Sequence, residues 1–509
     1  MKEIVFYGDD AFFYNFPEQT KIFYAKKPIT PLENEKIAIS DAINNPIGSK
    51  KLDELVNENS RVIICFDDVS VPLPAMKDDV RAKAAEVVIE KLKLLGVKKE
   101  NLLFVCAIGL HRKCKPKEFI HILGKKVFSE YEDLIINHDA DENLKVLGTT
   151  KDGYEVEINR FAAEADLIIY LNITFTPLNG GWKSIIVGLG SYKTIILHHS
   201  PEVLKEGSFM DPQASELHRI IWEMGRVIND KIKVFTIEMA LNNTFFSGLY
   251  EKLYRPLGEN NQTVPLWRKM FLSMFRIMPQ SLKFYMRKKI KAGYRLIGVF
   301  AGDVEEVHDK TLNLVKKQLL VPVDKQYDVV IFGVPNSTPY NVDSVMNPLL
   351  LHTLISGYLY NMYNGLSPLK KGGILIISNP AYDIFDSKQH PSYFDFFNDV
   401  LTKKPDIFNL KNLEKTYLQN EKYMEKYRTN FAYHGTHALM AYYWGVLGLL
   451  NVGKVIVAGA KSKNTLKTLG YDYAKNLNDA IETSRKDLGE NCSIAYLCIP
   501  PIFLAEVKK

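Results

Sequence analysis

Cysteine is scarce in this chain: five in 509 residues, at 65, 106, 114, 492 and 498, with no CxxC pair. That excludes a disulfide framework and a cysteine-rich zinc site, and it points to a reducing, cytoplasmic compartment. No apolar run reaches the roughly 18 residues that a membrane-spanning helix needs. The start, "MKEIVFYGDDAFFYNF", has acids too early and too short an apolar core for a signal peptide. Charge of one sign is also lacking overall. The net charge is +6, too small for this length to argue for nucleic acid. HExxH is absent, and so are internal repeats and low-complexity tracts.

What is present is an alternation of apolar runs and amphipathic stretches. The length is too great for one ordinary core, so two domains are expected. "RVIICFDD" (61–68), "NLLFVCAIGLH" (101–111), "DLIINHD" (133–139) and "ADLIIYLNIT" (165–174) read as strands, with a helix over 78–96 that stops at Gly96. Residues 232–245 read as the last strand of the first half or as a crossover strand. "YDVVIFGVP" (327–335), "GGILIISNPA" (372–381), "GKVIVAGA" (453–460) and "CSIAYLCIPP" (492–501) repeat the style, with helices over 344–363 and 436–450. The pattern predicts an α/β protein of two Rossmann-like domains with mainly parallel sheets and a cleft between them. The expected units are 1–245, 246–295 and 296–509.

The middle unit is unusual. "VPLWRKMFLSMFRIMPQSLKFYMRKKIKAGYR" (264–295) holds nine Lys and Arg among large apolar residues, and no Asp or Glu occurs between Glu259 and Asp303. Three readings stand: an inter-domain helical insert with solvated lysines, a lid whose cations face an acidic substrate, and a peripheral contact with an anionic membrane.

In open α/β sheets ligands sit beyond the carboxyl ends of strands. Reactive residues fall at those ends: Asp67 and Asp68, His111 and Arg112, His138 and Asp139, and the glycine loop before Lys183. That loop, "PLNGGWKS", is not a Walker motif, because Trp182 stands where the last glycine belongs. "GLGSYK" (188–193) is only a partial dinucleotide fingerprint. A backbone cradle for one phosphate is still open, since glycines let N–H groups converge. For metals, His198 and His199 are adjacent and in a strand would point to opposite faces, so one of them reaches a common site. "HGTH" (434–437) sets two histidines one turn apart on an expected helix, either as a ligand pair or as a helix N-terminus packed on the sheet.

The order "DD-x-S-x-P-x-P", "GLHR", "NHDAD" with "GYEVEINR", "NGGWKS", and a histidine sixteen residues after the lysine resembles the nickel-dependent lactate racemase family. "GVFAGD" (298–303), "YDVVIFGVP" and "GGILIIS" extend the resemblance over nearly the whole chain, with about 246–295 as an insertion. The resemblance implies a nickel-pincer nucleotide, a pyridinium mononucleotide with two thio-acyl arms that grip nickel. It would be attached covalently at Lys183, with His199 as nickel ligand and Gly180, Gly181, Ser184 and Thr176 around it. It implies racemisation of a 2-hydroxy acid by hydride abstraction and return, with His111 as acid/base and Asp67 and Arg112 beside it. An imidazole suits proton exchange near neutral pH. The implied partners are a small hydroxylated, anionic substrate and the enzymes that mature the cofactor, with no nucleic acid.

Three departures change the substrate expectation. The family's second catalytic histidine, in a Pro-His pair about ten residues before the lysine, is missing from "NITFTPLNGG". Its strand-end arginine aligns with Ser70, and its later Gln and Lys fall in "TPYNVDSVMNPLL", at Met346, Asn347 and Leu349. A small carboxylate without that arginine loses roughly 1.5–3 kcal/mol. The expectation is therefore a racemase or epimerase of a hydroxylated substrate other than lactate. Candidates for the second acid/base are His138, Tyr340, His434 and His437. The alternatives are a one-sided hydride-transfer oxidoreductase with the same cofactor, and a non-catalytic binding or membrane-peripheral homologue.

Overall fold

The computed structural model of the chain describes residues 1–258 and 263–508. Two large sheets and their covering helices form the body. The first sheet has six strands in the order Leu296–Gly302, Val234–Leu241, Leu167–Thr174, Val62–Asp67, Leu102–Ala107, Ile135–Asn137. All neighbours are parallel except Leu296–Gly302, which runs antiparallel to Val234–Leu241. The central strands are buried along their whole length. Val62, Ile64 and Phe66 pack with helices Val80–Leu94 and Pro116–Tyr131. Ile63 and Cys65 pack on the other side, with Gly181–Leu189 and Glu216–Asn229. Two-sided burial explains why these strands read as unbroken apolar runs rather than as alternation.

From Val62–Asp67 the chain steps to one side through Leu102–Ala107 and Ile135–Asn137. It then returns to the other side with Leu167–Thr174. The order therefore reverses between Val62–Asp67 and Leu167–Thr174, and a crevice opens beyond their carboxyl ends. The 232–245 stretch is thus a strand of the first sheet.

The second sheet is built on Tyr327–Pro335. Leu369–Ser378, Lys454–Ala458 and Asp472–Ala474 extend it on one side. On the other side its first half pairs with Ile494–Cys498, which pairs with Thr20–Tyr24, and its end pairs with Lys2–Gly8. This corrects the expected boundaries. The first 24 residues, assigned by order to the N-terminal unit, complete the second sheet. Leu296–Gly302 and helix Val304–Leu319, assigned to the C-terminal unit, complete the first. Such exchanges follow from strand pairing over hundreds of residues, to which local periodicity is blind. The insert forms helices Gly248–Tyr254, Leu266–Ile277 and Gln280–Arg287; residues 259–262 of it lie outside the described residues. Among the described residues no helix is long and apolar enough to cross a membrane.

Candidate functional site

The crevice leads into a cavity lined by residues of both sheets' layers. Lys183, His111 and His199 meet there, brought from three different elements. Gly180, at φ 92°, caps helix Gly181–Leu189. The tight turn puts Lys183 on the first turn, over the sheet edge. Its ammonium has no hydrogen bond or ion pair among the described residues, and burial pulls its pKa down against the opposing pull of Asp67 and Asp68. An unpartnered cation against apolar walls is costly unless the amine is wanted neutral.

His111 stands in the loop after Leu102–Ala107. Its Nδ1 lies 2.8 Å from Oδ2 of Asp68, and the other carboxylate oxygen accepts from the Ser70 amide at 2.9 Å. Burial pushes the Asp68 pKa up, but His111 and Ser70 outweigh it and hold the carboxyl below its ordinary value. The ionised carboxylate fixes the ring proton on Nδ1 and leaves Nε2 as the basic nitrogen.

His199 is the last residue of helix Tyr192–His199, whose N-terminus is capped by Ser191. The pair His198-His199 is thus helical, not extended as expected. Successive helical residues lie about 100° apart, so His198 turns into the core while His199 meets the cavity. The His199 ring stacks on Trp444, centroids 5.1 Å apart, and burial and then Lys183 lower its pKa to about 3. It stays neutral at physiological pH, the form in which an imidazole binds a metal. Among the described residues no group of three or more His, Cys, Asp or Glu is placed to hold a metal ion. One neutral imidazole and one free amine in a shared cavity fit a tethered, self-ligating metal cofactor.

Residues 7–211 match the lactate racemase N-terminal domain family. The chain is 23% identical over 473 residues to a lactate racemase of Thermoanaerobacterium thermosaccharolyticum, covering 91% of this chain and 86% of that one. It is 28% identical over 176 residues to a lactate racemase of Lactiplantibacillus plantarum, 34% of this chain and 40% of that one. The chain is thus similar to lactate racemases over most of its length, and its residues 7–211 match their N-terminal domain. The solved lactate racemase apoprotein of T. thermosaccharolyticum shares the fold, with a TM-score of 0.64 at 18% identity and full coverage of both chains.

Several residues expected around the site have other work. Asp67 lies under the cavity floor, accepting from the Tyr170 hydroxyl at 3.0 Å and the Ile173 amide at 3.4 Å; burial raises its pKa to about 6 against Arg81 and Lys183. The carboxylate on His111 is its neighbour Asp68. Arg112 is buried and committed to Glu118 at 2.7 Å and Asp343 at 3.2 Å, so its guanidinium is turned from the cavity. The glycine pair does not present free amides to a phosphate. Gly181 N–H donates to Glu238 at 2.5 Å and Gly180 N–H to the Ser184 hydroxyl at 3.3 Å. A Cβ on Gly180 would lie 2.7 Å from Thr174 Oγ1, and one on Gly181 2.7 Å from the His308 ring. The glycines thus admit the buried Glu238–His308 pair, which local sequence pattern did not flag. Thr176 does line the cavity, its hydroxyl donating to Asn179 at 2.8 Å.

The four candidates for a second acid/base separate cleanly. His138 is buried away from the cavity between Gly190 O at 2.9 Å and Asn159 at 3.2 Å. His434 precedes the helix rather than sharing it and is tied to Asp141 at 2.9 Å. Tyr340 and His437 stand beside His111, ring centroids 5.2 and 5.4 Å away. Burial raises Tyr340 to about 12, so it donates a hydrogen bond but is no base at neutral pH; its hydroxyl meets that of Tyr358 at 2.7 Å. His437, whose Nδ1 is 2.5 Å from the Tyr393 hydroxyl, lines an inner pocket together with His111 and His199. Tyr358 belongs to a π-helical turn, Thr353–Leu359, of the kind that often marks functional sites.

The remaining walls are mostly apolar: Val71, Phe175, Met210, Leu354, Met362 and Ile499 among others, with Lys183 the single Lys or Arg among the described residues lining it. Ser70 and Phe175 line the cavity. Met346, Asn347 and Leu349 do not line it; Asn347 caps helix Pro348–His352.

Proposed function

We propose that this chain is a nickel-pincer nucleotide-dependent racemase or epimerase of a hydroxylated substrate other than lactate. The observation that carries the reading is the convergence of Lys183, His199 and His111 on one cavity. Lys183 offers its unpartnered amine for attachment, and His199 offers a neutral imidazole to the metal. When bound, the cofactor supplies a hydride acceptor at the carbinol carbon. His111, oriented by Asp68, takes the hydroxyl proton at Nε2 and gives it back. His437 serves as the second imidazole in place of the absent Pro-His histidine. Tyr340 donates a hydrogen bond to the substrate oxygen.

The substrate side differs from that of a lactate enzyme. With no arginine among the described residues that line the cavity, a small carboxylate would lack its charge-assisted, bidentate partner. Apolar walls and aromatic rings favour a hydroxylated compound with an apolar body, and an anionic group on it has Lys183 alone to meet before attachment.

Two measurements test the reading. Protein made together with the cofactor's maturation enzymes should contain nickel and carry added mass on the tryptic peptide that includes Lys183. Lys183→Ala should lose the adduct and activity together, and a loaded, active Lys183→Ala protein overturns the attachment. A substrate deuterated at the carbinol carbon should keep its label while its configuration scrambles. Release of an oxidised product instead favours one-sided oxidoreduction, for which His111 alone suffices as base.

A further inference from the structure

The insert is packed inside out. In helix Leu266–Ile277 the buried side includes Arg268, which donates to the carbonyls of Leu253 at 2.9 Å and Arg255 at 2.5 Å. In helix Gln280–Arg287 the buried residue is Lys283, paired with Asp10 at 2.7 Å, and Arg287 is paired with Asp9 at 2.9 Å. The cations thus fasten these helices to the body from beneath. Leu272 and Phe275 are buried beside Arg268, and a second set of large apolar side chains faces outward.

Leu266, Trp267, Met270, Met274 and Ile277 are all exposed, Leu266 by 71%, Met270 by 64% and Ile277 by 84%. At about 100° per residue they fall within roughly 100° of the helix circumference, opposite the buried Arg268, Leu272 and Phe275. Leu282 and Tyr285 of the next helix are exposed as well. Solitary exposed apolar residues are ordinary, but a contiguous rimmed patch marks a contact surface.

The rim identifies the occupant. Lys269, Arg276, Lys288 and Lys289 are exposed and make no ion pair among the described residues. The sequence has no Asp or Glu from 260 to 302 to neutralise them. An apolar stripe with cations beside it and no acids matches a surface that is apolar in depth and anionic at its boundary.

We propose that helices Leu266–Ile277 and Gln280–Arg287 form an in-plane docking surface for an anionic lipid bilayer, with Leu266, Met270, Met274 and Ile277 entering the acyl boundary and Lys269, Arg276, Lys288 and Lys289 meeting the headgroups. The surface stands on the insert alone and is independent of the reaction in the cavity.

The full chain is tested by cosedimentation with phosphatidylcholine vesicles, with and without phosphatidylglycerol. Binding is expected only with phosphatidylglycerol and weakens as salt screens the headgroups. The double substitution Met270→Glu and Ile277→Glu, at exposed positions that leave the melting temperature unchanged, should cut the bound fraction at least about tenfold. Trp267 fluorescence should shift to the blue on binding, and Trp267→Phe should abolish the shift. No binding at low salt, or equal binding by the double variant, overturns the proposal. So does a dimer in light scattering that the same substitutions dissolve, for then a second copy of the chain covers the face.

Discussion

His111 and Asp68 act as a unit because one carboxylate, itself held by Ser70, decides which imidazole nitrogen carries the proton. In loaded protein, His111→Asn should lower kcat by about a hundredfold to ten-thousandfold. Asp68→Asn should lower it by about tenfold to a hundredfold while nickel content stays unchanged, because it misorients the base without touching the attachment. Asp67→Asn is the contrast. Asp67 is buried under Lys183 and bonded to Tyr170 and the Ile173 amide rather than to His111. Its effect should fall on cofactor loading before kcat. Steady-state rates paired with nickel analysis separate the three.

At the scale of elements, the Gly180-Gly181 turn is a packing solution before it is a ligand loop. The N-terminus of helix Gly181–Leu189 points at Glu238, a buried carboxylate on the neighbouring strand that also meets His308 at 3.1 Å. The helix dipole and that carboxylate stabilise each other, and Lys183 is aimed as a consequence. Gly180→Ala brings a Cβ to within 2.8 Å of Glu238 at a φ that favours glycine. It should destabilise the fold by roughly 1–3 kcal/mol and lower the melting temperature. Loading at Lys183 should fall with it, since the same turn sets the lysine's direction.

On the scale of the whole molecule, Asp343 is a latch between the two halves. It comes from the second sheet's layer and binds Arg112 at 3.2 Å and Lys115 at 2.8 Å from the first. Burial pushes its pKa up, but Arg112 and Lys115 outweigh this and hold it well below the ordinary carboxylate value. A depressed acid stabilises the fold above its unfolded pKa of about 4, and that contribution is lost as pH falls toward the folded value. Asp343→Asn should cost on the order of 2 kcal/mol at pH 7, Arg112 keeping Glu118 as a partner. The gap between variant and parent in melting temperature should narrow as the pH drops below about 4.

The sequence by itself determined the α/β class, since apolar runs and amphipathic helices alternate throughout. It also placed reactive residues at strand carboxyl ends, which parallel strands bring to one edge. Lys183 and His199, singled out by the resemblance and only sixteen residues apart, line the same cavity. Tertiary structure alone decided the rest. Asp67 and Asp68 are indistinguishable in sequence, yet neighbours at a strand end point apart, and only the strand's seating shows which meets His111. Arg112 was spent on Asp343, more than two hundred residues away. The first 24 residues crossed to the second sheet, and Leu296–Gly302 crossed back to the first, through long-range pairing that no local period records. The insert's composition announced basic and apolar residues together. Asp9, Asp10 and the carbonyls of Leu253 and Arg255 drew Arg268, Lys283 and Arg287 inward, while Leu266, Met270, Met274 and Ile277 stayed outside.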